Sequence, residues 1–221
     1  LLGAHCAYPG PSHSEVRSRM STSPDMGVKS PPTTPSKPSI LKHSSGKILQ
    51  LGSKMGTYIL LSDVLPKPSL GMVSFEAKGM NDILTCFHHE ERLCVGHEGR
   101  EDTAPAYEIL IGGWLNTKTV IRKQGNIQAA VTKTSKPEAM ITKTDFDKYW
   151  IAIEGDRLSV GKGEPGENKV LSWRDAQPKG GIAYVGFGSW HNPVLIKNIK
   201  IMMPVVTEEK LARRFDPLKV H

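Results

Sequence analysis

Between about residues 56 and 206 this chain never sustains an apolar repeat of 3.6 residues. It alternates instead, in short runs broken by Gly, Pro, Asn and Asp. A period of two is that of a strand with one buried face, and its persistence argues against layered helices and strands. In "MVSFEAKG" the alternation puts Val73, Phe75 and Ala77 on one face and Ser74, Glu76 and Lys78 on the other. "WIAIEGDRLSVG" reads as two strands joined at Glu154, Gly155 and Asp156, a tight hairpin signal. "KVLSWRD", "IAYVGFGSW" and "VLIKNIKI" continue the pattern. About ten such strands with frequent turn residues imply an all-β fold, an antiparallel β-sandwich of the jelly-roll type. Trp150 and Trp173 are expected in its core.

The flanks have a different texture. Residues 1–50 hold ten serines and seven prolines, with no Trp or Phe, so they lack the apolar area to bury a core. The chain divides into a disordered basic stretch at 1–53, a sandwich at 54–206 and a charged C-terminal extension at 207–221. Met20 offers a natural start, which would make residues 1–19 upstream sequence; the alternative is a targeting segment, acid-poor with Arg17 and Arg19. Thr207 could cap a short terminal helix, although Lys210 stands where a full capping box wants Glu or Gln.

Of the net charge of +7, much sits in the first fifty residues, where six Lys or Arg face only Glu15 and Asp25. That describes a basic tail rather than a basic domain. Ser23, Ser30 and Thr34 each precede a proline, and phosphorylation there would add about −1.5 to −2 charges per site. The tail could hold an acidic surface and release it when modified; a solvated linker is the simpler reading. With no aromatic residues among the basic ones, base-specific nucleic-acid reading is not expected. Cys6, Cys86 and Cys94 make no disulfide framework, which with the missing Asn-x-Ser/Thr site points to an intracellular, cytoplasmic address; import into an organelle is the alternative. No apolar run is long enough to span a bilayer as a helix.

Three local patterns invite a chemical reading. Gly161, Gly163 and Gly166 have the G-x-G-x-x-G spacing of a dinucleotide loop, but "NKVLSW" after them is a strand and not a helix. The helix N-terminus that would meet a phosphate is missing, so this is a hairpin loop. Cys86, His88, Cys94 and His97 cluster, yet their spacing fits zinc poorly, and a strand ending in a polar loop explains them. Ser189 and His191 flank Trp190 without the elbow a nucleophile needs. Neither a catalytic residue nor a bound metal is expected.

Residues 107–123, "YEILIGGWLNTKTVIRK", carry the most specific signal. Tyr107, Glu108, Ile111, Gly112, Gly113, Trp114, Asn116, Thr117, Ile121 and Arg122, followed by "YWIAIEGDRLSVGKG", "LSWRDAQP" and "IAYVGFGSW", resemble the farnesoic acid O-methyltransferase-like domain family over about residues 54–203. Leu115 stands where that family has a small residue, often Gly, and Thr119 replaces a Ser. The resemblance implies a non-catalytic β-sandwich and carries no set of catalytic residues. A module contacting a protein partner or a glycan is the function it implies, with no cofactor. The alternative is S-adenosylmethionine-dependent methylation of a farnesoic-acid-like terpenoid acid, as the family name suggests.

Physically, the two glycines clear room for a neighbour or a bulge, Asn116 favours the turn, and Arg122 lies outward or pairs with Glu108. Trp114, Asn116, Arg122, Trp190 and His191 are the candidate ligand-binding residues at one end of the sandwich. Core packing is the simpler expectation for the two tryptophans.

Overall fold

The computed structural model describes residues 40–41 (main chain), 46–52, 58–91, 104–124, 130–190 and 192–205. The phosphorylation candidates Ser23, Ser30 and Thr34, most of the basic stretch and the extension from 207 lie outside the described residues.

Alternation along thirteen described strands produces two sheets. The first has the order β1 (Ile40–Leu41), β3 (Tyr58–Leu61), β12 (Tyr184–Gly188), β5 (Ile83–His88), β6 (Tyr107–Gly112), β7 (Lys118–Lys123) and β8 (Ala130–Thr134). The second runs β11 (Lys169–Arg174), β10 (Arg157–Lys162), β9 (Asp147–Glu154), β4 (Leu70–Gly79), β13 (Val194–Met202) and β2 (Leu49–Leu51). Every pairing is antiparallel except β1 with β3. The expected antiparallel sandwich is the fold.

The inner faces meet as expected. Val73, Phe75 and Ala77 from β4 are buried against Phe87, Ile109, Ile121 and Phe187 from the first sheet. Phe75 marks the junction: it stacks on Tyr149 of its own sheet at 5.8 Å and meets Phe187 of the opposite sheet edge-on at 4.9 Å. Aromatic pairs at such distances add about 0.5–1.5 kcal/mol beyond the area they bury.

Two expectations need correction. The sandwich starts before residue 54, because Leu49–Leu51 pairs with β13 and Leu51 is buried opposite Val194. A strand of three residues shows too little alternation to stand out from a Ser/Pro-rich background. Trp150 is buried, but outside the main core. It packs with Met72, Ala152 and Met202 on the outer face of the second sheet. Trp173 flanks the main core, edge-on to Tyr107 at 6.1 Å.

The position of Trp150 accounts for part of the glycine pattern. Gly161 pairs with Trp150 across β9 and β10, and a Cβ there would lie 2.2 Å from the indole ring. Gly163 (φ 107°) and Gly166 (φ 91°) turn the chain from β10 to β11, as expected of a hairpin loop. The spacing that mimics a nucleotide loop thus has a packing cause and a turning cause. Gly161→Ala is therefore expected to lose about 1–3 kcal/mol in urea denaturation, from overpacking. Gly180→Ala, where a Cβ would meet nothing within 4 Å and φ is not positive, should change stability by less than about 1 kcal/mol.

A polar knot closes one flank. Tyr107 donates from its hydroxyl to Asp175 at 2.7 Å and accepts from the Lys179 amide at 3.0 Å. Lys123 pairs with Asp175 at 2.7 Å, and the Gln177 amide donates to the same carboxylate at 2.9 Å. Burial pushes the Tyr107 phenol up to about 12, with the Asp175 charge adding to the rise against the Lys179 amide. Burial would raise the Asp175 carboxyl as well, but Lys123, Tyr107 and the Gln177 amide together hold it below the usual range. A depressed folded value means the carboxylate contributes fully above its unfolded value and loses that contribution as pH falls through the folded one. Asp175→Asn should therefore cost about 1–3 kcal/mol at pH 7, and progressively less below about pH 4, in denaturant titrations across pH.

Candidate functional site

The turn between β6 and β7 does what L-amino acids resist. Gly112 (φ 71°), Trp114 (φ 51°), Leu115 (φ 59°) and Asn116 (φ 62°) are all left-handed. A left-handed helical conformation costs roughly 1–2 kcal/mol for each residue with a Cβ, and Asn pays least. The cost is offset locally. Asn116 donates from Nδ2 to the Ile141 carbonyl at 2.8 Å and accepts from the Ile141 amide at 3.1 Å, imitating a strand partner. Thr117 donates from its amide to the Gly113 carbonyl at 2.9 Å and from its hydroxyl to the Trp114 carbonyl at 2.7 Å. Thr119, buried, accepts from the Gly112 amide at 3.3 Å and donates to the Ala139 carbonyl at 2.6 Å. Replacing Ser by Thr keeps the hydroxyl that both bonds require.

The glycines behave as the sequence suggests, with side chains as the neighbours. A Cβ on Gly112 would lie 2.6 Å from Asn116 Oδ1, and one on Gly113 would lie 2.5 Å from Leu110. The turn presents two bulky apolar residues outward: Trp114 is 46% exposed and Leu115 83%. The expected core role of Trp114 is thereby corrected. Its left-handed backbone points the indole out of the core and along the outer face of the first sheet.

There the ring meets cations. Arg122 lies 5.4 Å from the Trp114 ring centroid and 5.8 Å from that of Trp190, and Lys118 lies 5.3 Å from Trp114. Arg122 lies in a row of register partners that runs Leu60, Gly186, Cys86, Glu108, Arg122 and on to Ala130 of β8. It pairs with Glu108 at 2.8 Å, as the hairpin register allows, and the Tyr58 hydroxyl donates to the same carboxylate. Arg122 and Glu108 are both almost wholly buried, while Arg122 Nε has no hydrogen-bond partner among the described residues. A buried pair of this kind specifies geometry more than it stabilises, since desolvation consumes most of the attraction. The two rings over the guanidinium provide a cation–π contact in its place.

Trp114, Arg122 and Trp190 thus come together, as the sequence suggests. Asn116 turns away to Ile141, and His191 lies outside the described residues. Ser189 is buried, its hydroxyl donating to the Asn192 carbonyl, so it offers no exposed nucleophile. Asn192 donates in turn to Asn81 at 2.5 Å, linking the β12–β13 loop to the β4–β5 turn. Cys86 and His88 are buried on β5, and Cys94 and His97 lie outside the described residues. Among the described residues no three His, Cys, Asp or Glu side chains are grouped to hold a metal. Tyr58 and Lys118 were not legible as site residues: a Tyr fifty positions before Glu108 carries no local signal of its partner. Among the described residues no helix is long and apolar enough to cross a membrane.

A cofactor of the methyl-donor type would need a cradle of main-chain amides. The glycine loop does not fit that need, because the Trp150 ring covers Gly161 and an antiparallel strand follows.

The comparisons with known proteins agree with this architecture. Over 133 residues the chain is 30% identical to a BTB/POZ domain-containing protein of Arabidopsis thaliana; the match covers 59% of this chain and 16% of that protein's length. Among solved structures, the exoplasmic/lumenal domain of VIP36 in its Ca2+/Man3GlcNAc-bound form superposes with a TM-score of 0.51 at 8% identity, covering 80% of this chain and 87% of that one. The carbohydrate-binding module CBM66 of Bacillus subtilis gives a TM-score of 0.49 at 12% identity, covering 74% and 99%. At 8% identity the likeness to the VIP36 domain is one of fold alone. Residues 63–199, more than half of the chain, match the family model described as farnesoic acid O-methyl transferase, and the chain belongs to that family.

Proposed function

We propose that the sandwich is a non-catalytic binding module and that the turn carrying Trp114 and Leu115 engages a protein partner. One observation carries this reading: two large apolar side chains are held in solvent by a backbone conformation that L-residues resist. Strain of this kind is retained where the surrounding structure enforces it, and it gathers at functional sites. An exposed Trp beside an exposed Leu, with Arg122 fixed behind them, has the composition of an interface anchor. A relative in which the matching stretch covers only 16% of the length is also what an attached module would resemble.

A glycan is the second reading. The fold likeness to the VIP36 domain in its Ca2+/Man3GlcNAc-bound form supports it. A sugar platform, however, wants a bare aromatic face, and Lys118 and Arg122 both stand over the Trp114 ring. Leu115 offers a saccharide nothing to hydrogen-bond. Methyl transfer rests on the family's description alone, with no cradle in the glycine loop to support it.

Replacing Leu115 separates strain from function. Leu115→Gly should raise stability by about 0.5–1 kcal/mol, because Gly accepts a positive φ and an exposed side chain gives up little packing. The same substitution, and Trp114→Ala, should weaken a partner retained by the full chain at least about thirtyfold, the loss typical of an anchor residue. Purified components and surface plasmon resonance would measure it. If glycan-array binding appears, and Trp114→Ala abolishes it while Leu115→Gly leaves it intact, the glycan reading replaces this one. Titrating S-adenosylmethionine by calorimetry should yield no saturable heat; a dissociation constant at or below about 100 μM, roughly −5.5 kcal/mol, would restore the enzyme.

A further inference from the structure

The outer face of the second sheet holds a groove of about 340 Å³, built from β4, β9, β13 and the 163–165 loop. Its volume falls within the range of small-molecule sites. We propose that this groove is a second binding site and that it takes a saccharide unit carrying one carboxylate. The proposal is independent of the role assigned to Trp114.

The groove follows from two local irregularities. β13 pairs with β4 at Lys197↔Glu76 and next at Lys200↔Ser74, so Asn198 and Ile199 face a single residue and form a bulge. Asn198 takes φ 52° there. Its Nδ2 donates to Glu76 at 2.9 Å. The opposite wall is the glycine loop, held down by the Gly163 amide on the Lys148 carbonyl at 2.9 Å and by the Lys148–Glu164 ion pair. Bulges commonly re-aim a side chain beside a site.

Charge bookkeeping selects the ligand. Glu164 is paired with Lys148, and Glu76 is held by Asn198 and by Lys197 at 3.3 Å. Both carboxylates lining the groove are thus already neutralised. Lys200 is the lining cation that has no acidic partner among the described residues. Asn198 Oδ1 and the Ser74 hydroxyl, opposite Lys200 in the register, remain open to a ligand. A phosphate dianion brings a second charge for which the lining offers no further unpaired cation among the described residues, and an apolar ligand would bury polar groups without partners. A polyol ring satisfies the hydroxyl and the amide, and one carboxylate satisfies Lys200.

The test is an amide-shift titration of the full chain with glucuronate, glucose, glutarate and inorganic phosphate. Glucuronate is expected to shift the amides of Gly163, Glu164, Asn198 and Lys200 with a dissociation constant of about 1 mM or tighter. Glucose and Lys200→Gln should each weaken binding about fivefold, the value of one exposed ion pair. Asn198→Gly, whose backbone accepts the positive φ, should weaken it without unfolding the sheet, and Trp114→Ala should leave it unchanged. No shift at about 20 mM glucuronate overturns the site. Equal binding of glucose overturns the carboxylate, and equal binding of glutarate or phosphate overturns the saccharide.

Discussion

Each strand of this protein has two faces, and the two sheets share one interior. Burial of the inner faces is the constraint on which the rest depends, because it decides which alternate residues are free for other work. Phe75, Tyr149 and Phe187 are committed to the interior and bind the sheets to each other. Their neighbours along β4, β9 and β12 are thereby turned outward. The outward positions divide into two sets. On the first sheet they form the row that holds Glu108 and Arg122; on the second they form the Trp150 cluster and the polar groove. A one-residue slip in either sheet would exchange core for surface along a whole strand. Flanking features such as the Tyr107–Asp175–Lys123 knot and the Asn81–Asn192 contact hold loops to this frame.

Against that frame the β6–β7 turn is the place where local preference and tertiary structure disagree. Nothing in the intrinsic preference of Trp or Leu favours a left-handed backbone. The conformation persists because Asn116 is locked to Ile141 and Thr119 to Ala139, both on a segment well beyond the hairpin. Consistency across levels is the rule in folded chains, and departures tend to mark sites that do something. Leu115 is the clearest departure. The resemblance implies a small residue there, which a φ of 59° would suit, and Leu115 is 83% exposed instead.

Much of the fold was legible. Val73, Phe75 and Ala77 were readable as inward because a strand's period is two. The hairpin at Gly155 was readable because few residues accept the turn. The glycine loop was readable as a turn because no helix follows it. The site was legible in part. The pairing of Glu108 with Arg122 could be read from equal distances to the turn, and Trp114 and Trp190 could be grouped as large aromatics at one end of the sandwich. What could not be read was direction. Trp114 inside or outside depends on the sign of φ at three residues, which in turn depends on Ile141. Trp150 was expected in the interior because large aromatics are usually there, and instead it lies on the outer face over Gly161. Leu49–Leu51 escaped notice because three residues hold too little alternation to count.

The sequence by itself determined the class of fold, the inward set of each long strand and the family, since these follow from periodicity, turn chemistry and a contiguous motif. Each is read from short local patterns that repeat along the chain. Only the tertiary structure decided where Trp114 and Leu115 point, which cations stand over the indole, and that a bulge at Asn198 borders a groove where Lys200 has no acidic partner among the described residues. Those outcomes depend on hydrogen bonds and register between strands far apart in the chain, such as Asn116 with Ile141 and β13 with β4. The physical reason is one of range: a side chain's period along a strand is set by its own backbone, but its partner is set by whichever strand the packed core brings beside it.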